Sequence, residues 1–335
     1  MNMTAQAVLL RLVWGILITI TYGLAIYTVI WAVPDTAQGL QLISGAVLLS
    51  MGIGGICSAM TDPLARQSLW RHIYVSMFVL LLLCLLTVVL FTEGIVCLVM
   101  AAPLMIPGVI AGVCVAWMTM RWWQNRGATL TVIALPLLVY PLELQINWPD
   151  YQGQVMTEIT IDAPPEVVWS NTVEIRDIDP ASLRFTPTHN LMFFPRPLDA
   201  RLDREGPGAT RSLTWTSGVH FREHITEWEK NRRLAWTFGF DSDSIPAEVD
   251  GHLRPDAEAS ELLHGDYVLE PNGEGGTVLR LTTYYKVSLP WNGYGRWWAD
   301  RLLTDFHSVV LDVVKSRAES EADALAESRP SNPPA

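Results

Sequence analysis

The sequence predicts an α-helical transmembrane bundle followed by an α+β domain in which a curved antiparallel sheet wraps a long C-terminal helix. Three observations predict it. Up to Trp148 the chain is a series of apolar runs, each long enough to cross a bilayer. After Trp148-Pro149-Asp150 hydrophobicity alternates with the two-residue period of half-buried strands. The final regular segment returns to the three- and four-residue spacing of an amphipathic helix.

A span needs about 20 mostly apolar residues, and five segments qualify: 13–33, 40–60, 73–91, 95–120 and 128–146, separated by polar punctuation such as Pro34-Asp35 and Thr92-Glu93. The first is long and lacks the small-residue context of a cleavage site, so it reads as retained. Orientation follows from arginine, which cytoplasmic loops keep. Arg66 and Arg71 lie between spans two and three, Arg121 and Arg126 between four and five, and the loops at Asp35 and Glu93 carry no basic residue. The expectation is therefore a multi-pass protein of the cell (inner) membrane with its N-terminus and arginine loops inside and, after a fifth crossing, its second domain outside the cytoplasm. The fifth segment holds Pro136, Pro141 and Glu143, and its alternative is a re-entrant or interfacial piece. Arg11 and Glu143, both at span ends, read as snorkelling or interfacial groups rather than as a transport path. Small residues recur over Ser50–Gly54 and in the GxxxG of Gly108–Gly112, a spacing that lets helices approach closely. Trp122 and Trp123 beside Arg121 suit an interfacial aromatic belt.

Charge separates the halves. Five arginines face four carboxylates up to Trp148, whereas the remainder carries 18 basic and 30 acidic residues. Such an acidic domain repels phosphate backbones, which excludes nucleic acid as a partner. All four cysteines, Cys57, Cys84, Cys97 and Cys114, lie in apolar runs, so the second half has neither disulfide nor CxxC site.

The ligand-binding domain is expected over 152–319. Gln154–Ile161 reads as a strand, and Asp162 as N-cap with Pro165 in the first turn opens a helix to Glu174. Asp177–Pro197 is irregular, with a short helix near Pro180–Leu183. Strands follow over 198–203, 209–216, 220–229, 232–240, 263–270 and 277–287, punctuated by Gly206-Pro207-Gly208, Ser217-Gly218, Asn231 and Pro271-Asn272-Gly273. The polar connection Asp241–Glu261 reads as a surface loop or lid. The closing helix, 291–319, presents Tyr294, Trp298, Leu302, Phe306, Val309 and Val313 on one face, and 320–335 reads as a disordered tail.

Three stretches carry a resemblance: Ile159-Thr160-Ile161-Asp162-Ala163-Pro164-Pro165-Glu166-Val167-Val168-Trp169, Phe221-Arg222-Glu223-His224-Ile225-Thr226-Glu227-Trp228, and Gly265-Asp266-Tyr267-Val268-Leu269-Glu270. With the order strand, helix, meander and long helix, they make Gln154–Glu319 similar to the SRPBCC superfamily, the helix-grip proteins related to START, Bet v 1 and polyketide cyclase/dehydrase domains. The resemblance implies a hydrophobic ligand, lipid-like or polycyclic, held between sheet and helix, with catalysis only in some members. It carries over no catalytic residue.

Read from the residues, Trp215, Phe221, Ile225, Trp236, Phe238, Tyr284, Trp298, Leu302 and Phe306 fit either a cavity lining or a packed core. Glu223 shares strand parity with Phe221 and Ile225. Facing inward it would be a carboxylate of raised pKa able to do acid/base work; otherwise it is a cross-strand partner for Arg211 or Arg232, or simply exposed to solvent. Glu223, His224 and Tyr284 are the candidate proton-transfer groups, yet no nucleophile is paired with a base, and no HExxH, GxSxG or Walker-type loop is present. His220 and His224 on a strand would sit about 13 Å apart, too far to share an ion, so neither metal nor cofactor is expected. The leading expectation is a membrane-anchored binder or carrier whose partners are the bilayer and a small hydrophobic ligand. A cyclase- or hydrolase-type enzyme and a ligand-responsive signalling or assembly protein stand as alternatives, and the oligomeric state stays open.

Overall fold

A computed structural model describes residues 5–32, 41–123, 126–246, 249, 255–257 and 259–328, and side chains over the same residues except 5, 32, 123–130 and 132. The Asp35 loop, the side chains of Trp123 and Arg126, His252 and the last part of the tail lie outside the described residues. The chain forms two units, one built on Met1–Pro149 and one on the residues from Asp150 onward, apart from two short segments.

The first unit is helical. Helix α1 (Ala5–Tyr27) continues as a π-helical turn, Thr28–Ala32. Helix α2 (Leu49–Thr61) follows a π-helical lead-in, Leu42–Leu48; α3 is Leu69–Phe91, α4 is Ile95–Met118 and α5 is Arg126–Glu143. Among the described residues, four of these helical stretches are long and apolar enough to cross a membrane, and the described apolar part of the fifth is Ile133–Glu143. Helix α3 starts ahead of its apolar run because Ser68 accepts from the Arg71 N–H as N-cap.

The two small-residue segments meet each other. A Cβ on Gly112 would collide with the Met51 carbonyl oxygen, and one on Gly54 would collide with that of Val109. Helices α2 and α4 therefore touch backbone to backbone, which only glycine permits.

Glu143 is a buried group rather than an exposed one. It is 4% exposed, and its carboxylate accepts from Ile43 N (2.9 Å), Ser44 N (2.8 Å) and Ser44 Oγ (2.5 Å). The N–H groups opening a helix have no internal partner, and a carboxylate satisfies them while complementing the positive end of the dipole. Nearer the middle of α2, the Tyr22 hydroxyl crowds Gly52 and donates to the Ile133 carbonyl at 2.8 Å. From Ile133 to Glu143, α5 thus runs antiparallel to α2, from the level of Gly52 to that of Ser44.

In the second unit, β1 (Tyr151–Ile161) leads to α6 (Pro165–Val173) and α7 (Pro187–Asn190). The strands β2 (Pro197–Leu202), β3 (Thr210–Trp215), β4 (His220–Glu229), β5 (Arg233–Gly239), β6 (Asp256–Ala257), β7 (Ser260–Pro271) and β8 (Thr277–Val287) precede α8 (Asn292–Glu327). They pair antiparallel in the order β1-β8-β7-β5-β4-β3-β2, with β6 on β7. The result is a curled sheet gripping α8, the helix-grip architecture. Its core joins Ile161, Val168, Leu234 and Leu279 to Leu311, Val314 and Ala318 of α8.

Four local expectations are corrected. The N-cap of α6 is Pro164 rather than Asp162. Pro180–Leu183 is a turn; the short helix forms at Pro187, where Thr186 accepts from the His189 N–H (3.3 Å) and proline takes the first position. Helix α8 continues to Glu327, because Glu319–Glu327 is rich in alanine and glutamate, which favour helix. Its buried face joins Leu303, His307, Leu311, Val314 and Ala318 to the expected Trp298 and Val309, while Phe306 and Val313 are half-buried at its border and Leu302 is displaced by Leu303.

Candidate functional site

Between the sheet and α8 lies a cavity of about 160 Å³. Strand alternation delivers its walls: Trp215 of β3, Phe221 of β4, Phe238 of β5, and Leu281 and Thr283 of β8 point in, and α8 supplies Leu303, Phe306, His307 and Val310. One end is aromatic. Phe306 lies 4.9 Å from Phe194 and 5.4 Å from Trp215 between ring centroids, and Phe221 stacks on Phe240 at 5.4 Å. The connection Asp241–Glu261 contributes Ile245 and Pro255 to the wall, so its described parts fold back on the cavity.

Set into the sheet wall, two residues along β4 from Phe221, is an ion pair. Arg211 and Glu223 are register partners on β3 and β4, 2% and 4% exposed. The Arg211 Nε donates to Glu223 Oε2 at 2.6 Å, Nη2 approaches the same oxygen, and Nη1 donates to the Thr172 carbonyl at the end of α6 at 2.8 Å. The guanidinium also lies over Trp236 (4.9 Å) and Tyr267 (5.6 Å). Burial pushes the Glu223 carboxyl above the usual range while the charge of Arg211 opposes it. Burial likewise pushes the Tyr267 hydroxyl up to about 12. Glu223 faces inward and is also the cross-strand partner of Arg211 rather than solvent-exposed. Its Oε2 is taken by guanidinium donors, so it serves as a counter-ion rather than a free base.

His307, which the sequence did not single out, is a further polar group of the wall. Its Nε2 lies 2.8 Å from Thr283 Oγ1 and its Nδ1 3.2 Å from Thr157 Oγ1. Burial pushes its pKa down to about 4, so it is a neutral imidazole held between two hydroxyls. Its signal was the four-residue spacing Leu303, His307, Leu311. His189 borders the aromatic end, with Nδ1 3.1 Å from the Phe194 carbonyl oxygen and its ring 5.3 Å from that of Phe306.

Of the lining residues expected from sequence, Trp215, Phe221, Trp236, Phe238 and Phe306 border the cavity. The others do not. Ile225 is buried in the core, Trp298 packs against Trp297 at 4.7 Å, and Leu303 stands where Leu302 was expected. Tyr284 has the parity opposite to the inward Thr283 and stacks on His264 at 4.2 Å. His224 is exposed on the outer face of β4. The three candidate proton-transfer groups are therefore not brought together. Further along β4 a bulge between Ile225 and Glu227 resets the parity; Glu227 pairs with Arg233 at 3.1 Å, and Trp228 turns in against Trp169.

No family model and no curated protein matches this chain. Solved structures similar to it include a protein from Thermus thermophilus (19% identity, covering 53% of this chain and 100% of that one, TM-score 0.33). Ara h 8.0201 (13%, 51% and 99%, 0.33) and truncated norcoclaurine synthase from Thalictrum flavum (10%, 51% and 94%, 0.32) are similar too. At such identities and TM-scores they carry no argument about ligand or chemistry, and the fold reading rests on the strand order and on α8.

Proposed function

We propose that this protein is a membrane-anchored binder or carrier whose cavity holds one apolar group of a lipid-like molecule. The observation that carries the reading is a chamber of aromatic and aliphatic side chains whose buried charges already neutralise each other within the wall. Its size narrows the ligand. About 160 Å³ is close to the roughly 150 Å³ of a protein cavity that admits benzene and below the ~300 Å³ at which drug-sized sites begin. That volume suits a single ring or a short length of acyl chain better than a polycycle.

The membrane part of the proposal draws on the apolar helices and on the arginine-bearing loops. The antiparallel run of α5 beside α2 favours a fifth crossing, which would put the second unit outside the cytoplasm. Residues 144–150 reach at most roughly 25 Å, so the binding domain cannot travel far from the bilayer that supplies its ligand. A reporter fused after Ser328 and active only outside the cytoplasm should be active; activity of the cytoplasmic counterpart would reverse the orientation.

Binding is tested by calorimetric titration of the detergent-purified full chain with medium-chain fatty acids and with alkylbenzenes. Saturable binding at one site per chain is expected. No binding in either series, and no apolar molecule extracted from the purified protein, would remove the reading. Nothing favours the enzyme alternative, since Glu223 is held by Arg211 while His224 and Tyr284 lie on the other face of the sheet.

A further inference from the structure

The helical unit has a cavity of its own, about 320 Å³, where α1 begins, α2 ends and α3 begins. Three guanidiniums border it from three chain segments: Arg11 of α1, Arg66 of the α2–α3 connection and Arg71 in the first turn of α3. Against them stands one carboxylate, Asp62, and it is already occupied. It accepts from the Gln67 N–H at 2.7 Å and lies 3.4 Å from Nε2 of His72, a residue 3% exposed whose Nδ1 is 2.7 Å from Ser58 Oγ. Arg71 donates only to the neutral Gln67 Oε1, at 3.1 Å, and Arg11 and Arg66 form no ion pair among the described residues. The site thus holds an excess of positive charge, and the opening turn of α3 adds the positive end of its dipole.

The remaining wall is apolar, with Val8 and Leu12 of α1 and Val75 of α3. Arginine forks match phosphate oxygens, and apolar walls beside them suit what a phosphate diester carries in a bilayer. We infer that this cavity binds the phosphate headgroup of an anionic phospholipid on the arginine-rich side of the membrane. The inference rests on the membrane reading of the helical unit and is independent of the ligand in the sheet cavity.

The full chain would be purified in non-ionic detergent with mixed phosphatidylcholine and phosphatidylglycerol, and the lipid kept after washing counted by native mass spectrometry. Preferential retention of one phosphatidylglycerol is expected. Each of Arg11→Gln, Arg66→Gln and Arg71→Gln should lower the preference about five-fold, and the triple variant roughly a hundred-fold; the matching Arg→Lys variants should keep most of it. Excess glycerol 3-phosphate should not displace the lipid. Equal retention of both lipids by the wild type overturns the inference, as does an unchanged preference in any folded Arg→Gln variant. Displacement by glycerol 3-phosphate overturns it in favour of a free phosphate ester. A chain that stays soluble without detergent would instead refute the membrane reading, whatever the lipid ratio.

Discussion

Arg211 and Glu223 stand directly opposite one another on β3 and β4 and meet as an ion pair with side chains only 3% and 5% exposed. Removing one partner of such a pair leaves an uncompensated buried charge, at a cost of about 3–5 kcal/mol, whereas replacing both by apolar residues costs far less. Arg211→Met and Glu223→Gln should each lower unfolding free energy by about that amount. The double variant Arg211→Met/Glu223→Leu should recover much of it, read by urea titration of tryptophan fluorescence. Additive losses would mean that the pair is not coupled.

His307 makes stability depend on pH. Its folded pKa, about 4, lies below the ordinary 6.5, so the unfolded chain takes up the proton first as pH falls. The stability present above about pH 6.5 is therefore lost on the way down to pH 4, by up to about 3 kcal/mol. His307→Gln should flatten the slope over that window in a denaturation series. An unchanged slope would assign it to other groups.

Val310 borders the sheet cavity from α8. Val310→Phe should fill much of the space and weaken binding of an alkylbenzene at least tenfold, at a stability cost of about 1–3 kcal/mol for overpacking. Unchanged affinity in a folded variant would place the ligand elsewhere.

Glu143 holds three donors at the start of the second helix. Glu143→Ala orphans all of them and should cost about 3 kcal/mol, seen as a lower thermal midpoint in detergent. Ser44→Ala leaves both N–H bonds in place and should cost about 1 kcal/mol. Equal effects would show that the hydroxyl, not the cap, matters.

Much of the fold was legible because it is written in local pattern. Apolar runs mark the long helices, alternation marks β4 and β8 to the residue, and Gly108–Gly112 announces a close helix contact. Five of the expected cavity residues were legible for the same reason, since Trp215, Phe221, Trp236, Phe238 and Phe306 each sit at an inward position of a recognisable element.

The kind and order of the elements were thus readable from the residues alone, because period, caps and turn residues act over a few neighbours. Which side chains meet emerged only from the folded chain. The bulge after Ile225 turns Glu227 out and Trp228 in, and the sheet selects Leu303 and His307 over Leu302 from a helix whose apolar stripe allows either. Glu143 finds its donors a hundred residues away at Ile43. Register, helix rotation and capping at a distance are set by long-range packing, and no local period encodes them.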